Sequence, residues 1–92
     1  MTTHTIIVIL GNMLEQCMSD ADLDLITIRT DGNNILLNKS LAVHPQPPVI
    51  ISPEHYNAAI VTIAYMIGGS PSWADLRRHL TSRIPQHQPT HP

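Results

Sequence analysis

Between Ser52 and Gly68 the chain reads S-P-E-H-Y-N-A-A-I-V-T-I-A-Y-M-I-G, and from Ala58 to Ile67 the only polar side chain is Thr62. Ser52 stands where an N-cap belongs, Pro53 takes the first helical position and Glu54 falls in the positive first turn. Gly68 and Gly69 follow the last apolar residue, where a left-handed residue closes many helices. A helix that is apolar almost all round needs cover on several sides. The pattern therefore predicts a central core helix. It is too short for a bilayer, which takes about 20 apolar residues.

The other elements arrange themselves around this stretch. Ile6 to Leu10 alone fits a buried strand. Ile6, Leu10, Met13, Leu14, Cys17 and Met18 recur at helical spacing, with Thr3 or Thr5 as a cap, so residues 5–18 are expected as a helix, with strand as the alternative. Ser19 to Asp22 is a polar break. Asp24 to Thr30 then alternates, with Asp24, Ile26 and Ile28 on one face and Leu25, Thr27 and Arg29 on the other. Asp31-Gly32-Asn33-Asn34 is a hairpin turn by its tolerance of positive φ, and Ile35 to Asn38 is the return strand. Lys39 and Ser40 turn the chain again, into a short third strand from Leu41 to His44. Pro45, Pro47 and Pro48 stop the ladder, and Val49 to Ile51 is an extended apolar connector. After the glycines, Ser72 and Asp75 form a variant capping box. Trp73, Leu76, Leu80 and Ile84 follow as the apolar stripe of a last helix. The expected fold is α+β: an N-terminal helix, an antiparallel hairpin or three-stranded meander, then two C-terminal helices. Residues 1–84 form a single compact domain, and Pro85 to Pro92 (P-Q-H-Q-P-T-H-P) form a flexible tail.

Composition narrows the function classes. Ninety-two residues make one small domain that buries roughly 60–65% of the surface its unfolded chain exposes. That leaves little room for a deep enclosed active site. Cys17 is the sole cysteine, so there is no disulfide framework, and the short run Ile6 to Leu10 does not read as a signal peptide; a cytoplasmic protein is expected. The chain has no glycine-rich phosphate loop, no H-E-x-x-H and no serine elbow. Cys17 lies among apolar neighbours, as a buried thiol does. The expectation is a non-enzymatic protein that needs no cofactor.

Charge changes the picture more. The net charge is −2, yet residues 1–54 carry six carboxylates against Arg29 and Lys39, and residues 55–92 carry three arginines against Asp75. Arg77, Arg78 and Arg83 on the last helix suit phosphates or an acidic protein surface, and equally a solvated helix face whose cations favour its negative end. Asp20, Asp22 and Asp24 have the D-x-D-x-D opening of a calcium loop, but Leu25 stands where the turn needs glycine. They read as a solvated loop or an acidic patch for a basic partner. The six histidines are scattered, so no metal is expected. A helix, a Gly-Gly turn and a basic helix over residues 53–84 also fit a small DNA-binding regulator, although Trp73 and Leu76 fall one place early for a helix-turn-helix.

In its layout the chain resembles the small phage-encoded anti-CRISPR proteins that act on the type I-F surveillance complex. The opening M-T-T-H-T-I-I-V-I-L, the hairpin I-T-I-R-T-D-G-N-N-I-L-L-N and the helix pair from Ser52 to Ile84 carry the resemblance. It implies a non-enzymatic inhibitor in the cytoplasm of an infected bacterium, one that docks on the guide-RNA complex and blocks target DNA from binding or pairing. Arg77, Arg78, Arg83, Arg29 and Lys39 would then meet guide-RNA phosphates or protein. Asp20, Asp22 and Asp24 would occupy lysine-rich DNA-binding surfaces. No membrane and no small-molecule substrate enter this reading.

Overall fold

Two helices, a three-stranded antiparallel sheet and two further helices follow one another in the computed structural model, which describes residues 2–40, 46–69 and 71–83, and of Arg83 the backbone alone. The mixed α+β order expected from the pattern is present. Helix α1 (Thr3–Cys17) begins where the Thr2 hydroxyl accepts from the Thr5 amide at 3.1 Å. Ile6, Leu10, Leu14 and Cys17, spaced by four, four and three, are all buried. Helical spacing, not the short apolar run, decides this segment. At its end the Met18 amide donates to the Leu14 carbonyl at 3.0 Å and the chain turns extended.

The polar break expected at Ser19 to Asp22 is instead a one-turn helix, α2 (Asp20–Leu23). Ser19 caps it, accepting from the Asp22 amide at 3.3 Å, and the two aspartates of its first turn suit the positive helix end.

Strands β1 (Ile26–Asp31) and β2 (Asn34–Lys39) form the expected hairpin, in register from Asp31↔Asn34 to Ile26↔Lys39. Gly32, at φ 65°, takes the left-handed position of the turn, which a β-carbon would strain. Val49 to Ile51 is not a connector. It is strand β3, paired antiparallel with β2 through Ile35↔Ile51 and Leu37↔Val49, so the sheet order is β1-β2-β3. Its β-branched residues alternate as a half-buried strand should, with Val49 and Ile51 buried and Ile50 outward. Pro47 and Pro48 stop just short of it, so their missing amides cost no ladder bond. The third strand expected from Leu41 to His44, the stripe residue Ile84 and the tail 85–92 lie outside the described residues.

One sheet face, with Ile28, Ile35, Leu37, Val49 and Ile51, turns to the helices. Thr27, Arg29, Leu36 and Ile50 occupy the other. Helix α1 lies against β1 and β2, and α4 (Trp73–Arg83) lies beside β3. Helix α3 (Tyr56–Met66) packs chiefly on α1 and α4. Ser52 leads into a 3₁₀ turn, Pro53–His55, and its hydroxyl meets the His55 ring nitrogen Nδ1 at 2.7 Å instead of capping a backbone amide. Gly68 and Gly69 do not close α3 in the left-handed conformation. They continue it as a second 3₁₀ turn, Ile67–Gly69, whose tighter bonds finish the helix. Ser72 caps α4, accepting from the Asp75 amide at 3.2 Å, but the Asp75 carboxylate takes the Ser72 hydroxyl proton at 3.1 Å in place of the backbone amide that a full capping box engages. Trp73, Leu76 and Leu80 are buried along the expected stripe.

Two polar contacts secure the core. Thr62 is buried on α3, its hydroxyl donating to the Ala58 carbonyl at 2.7 Å. Tyr56 donates its hydroxyl proton to the Asn33 carbonyl, which leaves its oxygen to accept from Thr3 Oγ1 at 3.3 Å. The hairpin tip is thereby tied to the starts of α1 and α3.

Candidate interaction surface

Helix α3 does not have the all-round cover that its composition predicts. Tyr56, Ala59, Thr62 and Ile63 face inward, while Val61 is 64% exposed and Tyr65 is 83% exposed. Asn57, Val61, Ala64 and Tyr65 recur at helical spacing along the outward face. A tyrosine carries 150–250 Å² of buriable surface, and here nearly all of that lies in water. No described element covers this face, and α3 makes its main contacts with α1 and α4 through the opposite one.

Beside Tyr65 the α3–α4 junction opens a groove of about 410 Å³, lined by Met66, Gly69 and Pro71 on one side and by Arg78 and His79 on the other. Arg78 Nη2 donates to Asp75 Oδ1 at 2.7 Å, one turn apart on α4. Both side chains are well exposed, so the pair adds little stability, about 0–1 kcal/mol. Its effect is to hold the guanidinium at the groove. The surface thus combines an exposed aromatic, an exposed aliphatic and a positioned arginine. Tyr and Arg are the residue types that dominate binding energy at protein interfaces.

The cations singled out in the sequence do not form one cluster. Arg77 is half-buried, and its Nε donates to the Pro47 carbonyl at 3.2 Å, fastening the segment before β3 to α4. Arg78 flanks the groove, and Arg83 is the last residue of α4. Arg29 is exposed on the sheet face away from the helices, opposite Leu36. Lys39 is bonded to Asp22 at 3.2 Å, its side chain only 12% exposed. One member of the basic set is therefore tied to one member of the acidic set. The Lys39 ammonium and the Ser19 hydroxyl hold the Asp22 carboxyl below the usual carboxylate range. Asp20 and Asp24 remain exposed at α2, on a helical turn and not in an open loop.

The same chemistry can be followed at the other candidates. Among the described residues, no three His, Cys, Asp or Glu side chains converge as a metal site. Cys17 is buried, and burial pushes its thiol pKa up, which keeps it protonated. The contact between Ser52 and His55 has the length of a nucleophile–base bond, yet it links residues three apart in a turn, and the described residues give His55 no carboxylate to orient it. No described helix is long and apolar enough to cross a membrane.

Sequence reasoning counted Val61 and Tyr65 as core. The signal for the opposite reading was present, because Asn57 and Gly68 share their helical face. The chain matches no protein-family model, no curated protein and no solved structure with which it was compared.

Proposed function

We propose that this chain is a non-catalytic protein-binding inhibitor that acts by covering part of a larger nucleoprotein assembly. The assembly implied by the resemblance is a guide-RNA surveillance complex, whose access to target DNA would be blocked sterically. The observation that carries the reading is the outward face of α3, where Tyr65 and Val61 stand in water, Tyr65 at the groove that Arg78 and Asp75 also line. Covering such apolar surface contributes about 25 cal/mol per Å², and the folded domain leaves this contribution unused. The resemblance, with its steric mode of action and its host cytoplasm, supplies the choice of partner.

The test mixes the purified chain with purified type I-F surveillance complex, then measures co-elution on size exclusion and binding of target DNA. Stoichiometric co-elution with loss of target binding is the expected result. Tyr65→Ala should weaken the association at least tenfold while leaving the thermal transition in place. Replacing Arg77 and Arg78 together by alanine should weaken it in a salt-dependent way if arginines meet phosphate. Failure to co-elute, combined with retardation of duplex DNA that disappears as salt is raised, would overturn the reading in favour of a DNA-binding regulator using residues 53–84.

A further inference from the structure

The two edges of the sheet are protected very differently. β3 is three residues long, preceded by Pro47 and Pro48, with α4 alongside and Arg77 bonded to the Pro47 carbonyl. β1 is six residues long, contains no proline, and has no described strand on its far side. The Ser40 amide donates to the Leu25 carbonyl at 2.7 Å, which continues the β1–β2 ladder. Residues 25, 27, 29 and 31 therefore bond towards β2. By the alternation of antiparallel pairs, the amides and carbonyls of Ile26, Ile28 and Thr30 point to the open side. Such a row of donors and acceptors, without a strand partner among the described residues, is a template for another strand.

Arg29 selects among the strands that could take this place. It is exposed on the outer face near the middle of β1 and makes no ion pair among the described residues. In the registers that overlap β1 most, a second copy is a poor occupant. Two-fold pairing centred on Ile28, which overlaps nearly the whole strand, sets Arg29 diagonal to the second copy's Arg29, within reach of long side chains. Centring the pair on Arg29 opposes the two cations directly. Only centring on Thr30 brings Arg29 against the second copy's Asp31, and the overlap then shrinks to the end of the strand. A foreign strand has no such conflict. We propose that the free edge of β1 accepts an extended segment of a partner protein, paired antiparallel, with β-branched apolar residues on the helix side and a carboxylate facing Arg29. Backbone bonds supply the attachment and the carboxylate supplies the selection. This edge is distinct from the α3 face, so it stands or falls separately from the function proposed above.

The test uses the isotopically labelled full chain and a blocked synthetic peptide, S-T-E-V-T-V-S, whose glutamate falls opposite Arg29. Its analogue carries lysine in place of the glutamate. With the glutamate peptide, the amides of Ile26, Ile28 and Thr30 should shift and gain protection from hydrogen exchange. The lysine analogue should bind at least fivefold more weakly at low salt, and the two should converge as salt rises. Arg29→Glu should reverse the preference, a readout that loss of stability does not mimic. Thr30→Pro removes an amide that β2 does not use, and should abolish peptide binding in a chain that still melts cooperatively. Tyr65→Ala should leave peptide binding unchanged. No added protection at millimolar peptide, equal affinity for both peptides, or shifts confined to α3 would each overturn the proposal. Protection of the same amides by self-association of the peptide-free chain would overturn it in favour of a second copy.

Discussion

Helices α1 and α3 pack against each other, yet they use their apolar residues in opposite ways. α1 has a modest apolar stripe, and every member of it is spent on the core: Ile6, Leu10, Leu14 and Cys17 are buried, and Val8 is the large apolar side chain left about half exposed. α3 is the more apolar helix by composition, yet its inward face includes small Ala59 and polar Thr62, while Val61 and Tyr65 point to solvent. The reason lies in their neighbours. α1 has the sheet on one side and α3 on another, whereas α3 packs chiefly on helices, touches the hairpin tip through Tyr56, and leaves its outer face open. Apolar content measures what a helix is able to bury. Its position in the layers determines what it does bury. The surplus on α3 is therefore the better guide to an external contact.

Substitutions along the two helices test this contrast, beginning with the largest effect. Leu10→Ala removes a fully buried side chain from α1 and should cost about 2–5 kcal/mol, read from the midpoint of urea unfolding. On the short helix α2 that follows α1, Asp22→Asn removes the ion pair with the largely buried Lys39 and should cost about 1 kcal/mol at neutral pH, since the carboxylate is partly exposed and screened. The sign with pH is set by the lowered carboxyl pKa. This contribution is present above the ordinary carboxylate range and is lost as pH falls below it. Acid titration of stability should therefore narrow the difference between the two proteins. Gly11→Ala sharpens the picture from the other side. A β-carbon there meets the Ile28 Cδ1 atom at 3.9 Å, an ordinary contact, so the variant should be more stable by about 0.5–1 kcal/mol in thermal melts. The smallest effect is expected for Tyr65→Ala, within about 0.5 kcal/mol of the parent. A loss above 1 kcal/mol there would make Tyr65 a packing residue and break the comparison.

Much of the fold was legible because local signals agreed with one another. The D-G-N-N turn, its flanking alternation and the positive φ of Gly32 all specify the same hairpin. The stripe Trp73, Leu76, Leu80 and the Ser72–Asp75 cap do the same for α4. Strand β3 was harder to read. Three residues beside prolines are too few for a period, and their strand character comes from pairing with β2, a partner more than ten positions away in the chain. The glycines after α3 misled in another way, because glycine permits the left-handed cap without requiring it. The candidate surface was hidden by the same rule that finds cores, since Val61 and Tyr65 look like buried residues until the layer order is known. Lys39 and Asp22 showed the converse. Read as members of two separate charged sets, they meet through folding and satisfy each other.

The meeting of Tyr56, Asn33 and Thr3 also bears on the order in which the molecule assembles. A hairpin closes within its own neighbourhood, on a scale of about 1–10 μs. The phenol contact joins positions 3, 33 and 56, so it forms only when the first helix, the hairpin and the third helix have all arrived. Tyr56 is thus a closing stitch, and a spectroscopic signal from its ring reports completed assembly, as distinct from collapse.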